Sequence, residues 1–182
     1  MGNLIHIQSQ TASNSASISF TTGINSTYKE YQFYFIDIHP RTNRAILQFN
    51  MSTDGGSNYN VTKTSTDFYT INRENDGGSN LAYDTDQDLA QSTSFDSIVN
   101  PISSDADGNG AGYMTLFNPS STTYVKHYIS VTNVMYVSAG SVYASVENFV
   151  AGYGNTTSAI NAIQFKMDSG NFDGTIALFG VV

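Results

Sequence analysis

Apolar and polar side chains alternate along two neighbouring runs of the chain, residues 31–38 and 45–52. In the first run, Tyr31, Phe33 and Phe35 share one face of an extended chain, because successive strand side chains point to opposite sides. A proline lies among turn-forming polar residues between the two runs, and it fixes its own φ and lacks a backbone donor. The pattern predicts a hairpin with apolar side chains on both faces, lying centrally in a sheet.

The same alternation recurs along most of the chain, between segments rich in Gly, Asn, Asp and Ser. The further predicted strands are residues 16–21, 61–71, 113–117, 124–137, 142–153, 162–167 and 175–181. Residues 81–97 are the one segment with a helical pattern, because aspartates near its start offer N-cap oxygens. Together these elements predict an all-β fold: an antiparallel β-sandwich, jelly-roll-like, with long polar loops and at most one short helix.

No shift in composition divides the chain into two domains. Residues 1–16 contain a short apolar alternation followed by a low-complexity polar stretch, which predicts a polar N-terminal arm or an edge strand. Residues 17–182 then form a single β-sandwich domain. A chain of 182 residues is long enough to bury a sizeable core without disulfides.

Charge and composition exclude several classes of partner. Fifteen acidic residues against seven basic ones give a net charge of −8. Nucleic acid is therefore not expected as a partner, since phosphate binding depends on clustered Lys and Arg. No apolar run approaches the roughly 20 residues that span a bilayer, and no signal-peptide pattern opens the chain, so we expect neither membrane insertion nor export by that route. Cysteine is absent, which excludes disulfides and thiolate metal sites.

An aspartate-rich loop offers a candidate calcium site. Asp105, Asp107 and Asn109 alternate ahead of Gly110, which matches the first half of an EF-type loop, where oxygen ligands wrap a hard cation. The complete loop needs a bidentate Glu at its twelfth position, and Leu116 stands there. The alternative is that these side chains form Asx turns in a solvated loop. No other cofactor is indicated.

Catalytic patterns are few. Histidine occurs at His6, His39 and His127, and no nucleophile elbow, zinc-binding helix or phosphate-binding loop accompanies them. Cleavage of a glycoside would need two carboxylates brought together by folding, and the chain has only three glutamates. Solvation of loops explains the acidic residues more simply, so we expect that the protein is not an enzyme.

Aromatic residues are abundant, with 12 Tyr and 11 Phe. Most lie in alternating strands, where packing in the core and across strands explains them. Four tyrosines lie at loop or strand ends and are candidates for stacking on a sugar ring: Tyr59, Tyr83, Tyr113 and Tyr153. The alternative for these four is packing at the rim of the sheets.

Several segments resemble a family of virion structural proteins from tailed bacteriophages, many of them from marine samples. The resemblance is carried by residues 10–20, 31–40, 52–59 and 169–176, and it extends over nearly the whole chain. These segments are turn and strand signatures, so no residue role comes with them. The resemblance implies a non-enzymatic component of the particle surface, in either the capsid decoration or the tail adsorption apparatus.

The absence of a stalk-like heptad stretch favours capsid decoration over a fibre. We therefore expect a protein made in the host cytoplasm and placed on the virion surface, where it stabilises the particle through contacts with major capsid or tail proteins. We also expect a homo-oligomer, with three copies as the expected number, because symmetric assemblies multiply weak contacts. The alternatives are a tail-fibre or tail-tip jelly roll, or a carbohydrate-binding module that binds a host glycan during adsorption.

Overall fold

The alternating sequence folds into two antiparallel sheets. A computed structural model describes residues 2–138 and 140–182, and within those ranges it contains twelve β-strands and no helix. The strands are β1 (Leu4–Ser15), β2 (Ser17–Phe20), β3 (Glu30–Pro40), β4 (Leu47–Ser52), β5 (Lys63–Arg73), β6 (Ser79–Tyr83), β7 (Asp96–Ser97), β8 (Gly110–Phe117), β9 (Lys126–Val137), β10 (Tyr143–Gly154), β11 (Ala162–Met167) and β12 (Phe172–Val181). The described part of the chain accordingly holds no apolar helix of bilayer-spanning length.

The strand order is that of a jelly roll with two added hairpins. The large sheet has the order β1-β12-β3-β8-β9-β10-β5-β6, and the small sheet has the order β2-β11-β4-β7. If the two added hairpins, β5–β6 and β9–β10, are left out, the remaining eight strands can be renumbered 1 to 8 in chain order. The large sheet then has the order 1-8-3-6 and the small sheet the order 2-7-4-5. This is the arrangement of two interleaved Greek keys in a jelly roll. The predicted antiparallel sandwich is confirmed, and the added strands widen only the large sheet.

The predicted central hairpin is wrong, because its two strands lie in different sheets. β3 pairs with β12 and β8, whereas β4 pairs with β11 and β7. The link between them crosses the sandwich, and its backbone bonds to distant segments, for example Arg41 N to Asn171 O (2.8 Å) and Arg44 N to Ile102 O (2.9 Å). Both strands bury one apolar face, and the two faces meet across the core instead of lying side by side.

The predicted helix within residues 81–97 is also wrong. That segment contains the end of β6, a turn and the short β7. Its backbone groups bond to β5 and not to each other: Leu89 N donates to Ser65 Oγ (3.0 Å), and Ser65 N donates to Leu89 O (2.9 Å). The aspartate oxygens expected to cap a helix close only a local turn, with Asp86 N donating to Asp84 Oδ1 (3.2 Å).

The N-terminal residues lie along the edge of the large sheet. β1 pairs antiparallel with β12 from Leu4, opposite Val181, to Ser15, opposite Phe172. Its outer edge is unpaired in the single chain, which is a feature that sheets usually protect.

The centre of the sandwich is filled by aromatic rings from both sheets. Phe165 of the small sheet packs against Phe33 and Phe35 of the large sheet, with ring centroids 5.3 and 5.4 Å apart. These rings are fully or almost fully buried. The alternation therefore correctly indicates which residues of β3 and β4 point inward, but it does not indicate which strands β3 and β4 pair with.

Candidate interaction surface

One residue from each strand of the large sheet lines up in a single row on its outward face. The cross-strand pairs that define the row continue from β1 to β6 without interruption. We call these eight residues the aromatic row: Ser9, Ala177, Tyr34, Tyr113, Val131, Phe149, Phe68 and Tyr83. Directly opposed side chains on one face of a sheet lie within contact distance, so the row forms a continuous strip.

Three rings of the aromatic row are exposed to solvent, whereas Tyr34, Val131 and Phe149 are half-buried and Ala177 is buried. Phe68 is 43% exposed, Tyr113 38% and Tyr83 50%. Phe68 stacks on Phe149 with centroids 5.0 Å apart and an interplanar angle of 11°, and Tyr34 lies 6.0 Å from Tyr113. Contiguous exposed rings of this kind are uncommon on monomeric proteins and mark sites of interaction.

A second row beside the aromatic row extends its apolar character. It consists of His6, Phe179, Gln32, Thr115, Ile129, Ala151 and Thr66. Ile129 is 46% exposed, and Ile36, which lies farther along β3, is 47% exposed. Neither row contains Lys, Arg, Asp or Glu.

The outward face of the small sheet is different in character. Its half-exposed cross-strand positions are polar: Ser17, Ser19, Gln48, Gln164 and Lys166. An antiparallel sheet with one face on the core ordinarily turns polar side chains to water, as this small sheet does. The large sheet departs from that rule, and its aromatic face therefore needs an explanation.

A shallow depression of about 440 Å³ opens near one end of the same aromatic face. Its floor is lined by the small side chain of Ala151, and its wall by His127 and Tyr153, whose ring centroids are 6.0 Å apart. A polar rim adjoins it, where Gln91 Nε2 donates to Thr64 Oγ1 (2.7 Å). An apolar floor beside a ring and planar amides suits the faces and hydroxyls of a sugar.

The four tyrosines singled out from the sequence are not brought together. Tyr83 and Tyr113 both belong to the aromatic row, but they are four strands apart, or about 19 Å at the usual strand spacing. Tyr153 lines the depression. Tyr59 lies in the loop after β4, where its carbonyl accepts a hydrogen bond from Asn50 Nδ2 (2.8 Å).

The sequence did not point to Tyr34, Phe68 or Phe149 as surface residues. Each lies within an alternating strand, where the pattern predicts packing against core or cross-strand neighbours. The alternation does place them on one face of their strands, but it does not say which face is covered. The register across eight strands, which brings them into one row, is a long-range property.

The loop of the candidate calcium site uses its side chains for protein contacts. Asp105 Oδ2 accepts hydrogen bonds from Tyr143 OH (2.7 Å) and Ser103 Oγ (2.8 Å), and these bonds lower the pKa of Asp105. Asn109 Nδ2 donates to Asp37 Oδ1 (3.1 Å), and Asp107 is exposed. Within residues 2–138 and 140–182, no group of three or more acidic or histidine side chains is placed to hold an ion.

We expect calcium to leave the thermal stability of the protein unchanged. Asp105, which would be the first ligand, already accepts two hydroxyl donors, and the loop lacks the bidentate glutamate. The melting temperature should be the same in calcium and in EDTA. An ion present at 100 times its Kd would add about 2.7 kcal/mol, which corresponds to a rise of about 5–10 °C for a domain of this size. If calcium raised the melting temperature of the wild type in this way but not that of the Asp105→Asn variant, the site would be established.

A buried polar network lies under the hairpins that widen the large sheet. Lys63 is fully buried, and its Nζ donates to Asn50 Oδ1 (2.7 Å) and Ser94 O (2.8 Å). Asp96 is also fully buried, and it accepts hydrogen bonds from Ser65 Oγ (3.0 Å) and from the hydroxyl of Tyr128. The network joins the 84–97 segment to β4, β5 and β9.

Burial shifts the pKa values of this network. Loss of hydration raises the pKa of Asp96, and the hydrogen bonds from Tyr128 and Ser65 oppose that shift. Burial also lowers the pKa of Lys63, against the attraction of Asp96. Ser65 and Tyr128 also line the depression on the aromatic face, but the charged groups Lys63 and Asp96 are fully buried and held by specific partners, so we assign this network to the stability of the fold.

Comparisons with known proteins give no family for the chain. No protein-family model matches it. A search of curated proteins also finds no match. Its function is therefore inferred from its fold, its surface and the sequence resemblance described above.

Proposed function

We propose that this chain is a non-enzymatic structural protein on the outer surface of a tailed-phage particle, which it stabilises through capsid-decoration contacts. The observation that carries the proposal is the aromatic row on the outward face of the large sheet. Exposed apolar surface is removed from water on association, at roughly 25 cal/mol per Å², so a face of this kind favours binding to other proteins.

The rest of the molecule suits the same role. The polar outward face of the small sheet and the net charge of −8 keep the assembled protein hydrated. The jelly-roll scaffold presents the aromatic face on hydrogen-bonded strands, which hold its side chains in fixed register. The particle as the setting, and major capsid or tail proteins as partners, are supported by the sequence resemblance to phage virion proteins.

Binding to particles tests this function directly. Antibodies against the chain should label the heads of intact virions, and the purified protein should rebind capsids from which it has been stripped. Rebinding should raise the melting temperature of those capsids by several degrees, because a ligand of the native state stabilises it. Labelling confined to the tail would favour the tail-tip role, and no labelling of the virion would contradict the proposal.

A carbohydrate-binding role in host adsorption is the second candidate, and the depression beside Tyr153 favours it. On a glycan array, Tyr153→Ala should reduce binding to any recognised sugar at least ~10-fold, since a lost stacking contact is worth about 1.4 kcal/mol or more. Tyr124→Ala is the matched control, because Tyr124 is 69% exposed and lies outside the depression. Absence of binding to any glycan would leave the structural role alone.

A further inference from the structure

The proposed function rests on the aromatic row as a protein-binding face. Resting on that function, we infer that a second copy of this chain covers the row, with the two large sheets packed face to face. The decorating unit is then a dimer, in place of the three copies expected from the sequence, and it contacts the particle through its other surfaces. The two-fold axis runs parallel to the strands, between β8 and β9. Three observations support this occupant: the size of the face, the order of residues along the row, and the distribution of charge.

The size of the face matches a protein interface. Eight strands at the usual spacing span about 34 Å, and three adjacent rows of outward residues span about 20 Å along the strands. The product, roughly 700 Å², is close to the ~800 Å² that each partner contributes to a specific protein–protein interface. A single sugar ring or a short peptide would leave most of the face exposed.

The order of residues along the row is self-complementary. Rotation about the proposed axis reverses the row, so that each residue faces the one equally far from the other end. Ser9 then faces Tyr83 of the second copy, Ala177 faces Phe68, and Val131 faces Tyr113. Small side chains meet large ones in three of the four kinds of pair, and Tyr34 meets Phe149 in the fourth. A two-fold axis along the row, perpendicular to the strands, would instead place each residue opposite the same residue of the second copy, so that large rings would face large rings.

The distribution of charge favours a copy over other occupants. Two chains of charge −8 repel each other, and the repulsion is least where few acids lie in the interface. The aromatic row and the row of Ile129 contain no Lys, Arg, Asp or Glu, and the third row of the interface, on the Ile36 side, carries one acid, Glu147, which the axis places opposite Ile36 of the second copy. A highly charged partner would find no counter-charge in the row. A sugar would find few free hydroxyls, since Tyr34 OH already donates to Gln32 Oε1 (3.0 Å).

The first test is the mass of the purified wild-type protein by light scattering and sedimentation. We expect twice the chain mass of 19.7 kDa. Tyr113→Glu should raise the dissociation constant of this dimer at least ~100-fold, because it places unpaired carboxylates in the desolvated centre of the interface. Tyr124→Glu, at an exposed tyrosine outside the face, should leave it unchanged. A native circular dichroism spectrum and melting curve would show that Tyr113→Glu is folded.

The second test addresses the register. Val131→Lys alone should also prevent dimerisation, whereas mixing it with Tyr113→Glu should restore a dimer containing one chain of each kind, since the two new charges face each other across the axis. A wild-type monomer, a trimer, or failure of the mixture to pair would overturn the inference. A monomer that still binds stripped capsids would overturn only the pairing, and a dimer that binds no particle would overturn only the proposed function.

Discussion

Replacing Asp96 with alanine should lower the free energy of unfolding by about 3–5 kcal/mol, because each buried polar group left without its partner costs roughly 1–3 kcal/mol and charged groups cost more. The change leaves the hydroxyls of Tyr128 and Ser65 without their acceptor and removes the negative charge that favours the buried Lys63 ammonium. Equilibrium unfolding in guanidinium chloride at neutral pH measures the effect, with the slope expected to stay near that of the wild type.

Asp86→Ala is the matched control for this prediction. Asp86 lies in the same segment but is exposed, so its removal should change stability by less than about 0.5 kcal/mol. Asp96→Asn should fall between the two, because an amide oxygen still accepts one of the hydroxyl donors while the charge is lost. A loss below about 1 kcal/mol for Asp96→Ala would show that the network contributes little.

The same network shows why the fold class could be predicted while part of the core could not. On β5, Lys63, Ser65 and Asp67 point inward, and Phe68 points outward. Hydropathy alone would assign the opposite faces. The inward polar residues are satisfied by the 84–97 segment and by β10, which are far away in sequence, so their burial depends on contacts that local patterning does not contain.

The pairing of strands could not be predicted from local patterning for the same reason. The alternation along β3 and β4 correctly predicts two strands with Phe33 and Phe49 inward. Neighbouring strands often pair, and the turn-like residues between them favoured a hairpin. The link instead crosses between sheets, because both apolar faces are buried against the same ring, Phe165. Turn-forming residues indicate that the chain changes direction, but they do not indicate which of the two sheets the next strand joins.

The aromatic row illustrates the limit for the candidate site. The position of Tyr83 and Tyr113 at strand ends predicts them as contact residues, and both are exposed. Their partners in the row lie mid-strand, where aromatic residues usually indicate a core. Only the pairing of all eight strands shows that Phe68 and Phe149 lie outside the sandwich and beside one another.

Stability should also depend on pH through Asp67, in the opposite sense to an ordinary paired carboxylate. Asp67 is fully buried, and loss of hydration raises its pKa to about 7; the hydrogen bond from Asn148 lowers the pKa, and repulsion from Asp84 and Asp96 raises it further. In the unfolded chain the carboxyl ionises near pH 4. The folded state therefore binds more protons between about pH 4 and 7, so stability falls as the pH rises through that window and stays low above it.

Asp67→Asn removes this titration and keeps the size of the side chain, so the variant should be more stable than the wild type by about 2–4 kcal/mol at pH 8. At pH 4, where the wild-type carboxyl is protonated, the two proteins should agree within about 0.5 kcal/mol. Urea unfolding at both pH values measures the difference, and Asp86→Asn should show no such change. An equal gain at pH 4 and pH 8 would mean that packing, and not ionisation of Asp67, is responsible. A loss at pH 8 would mean that the folded protein stabilises the charged carboxylate.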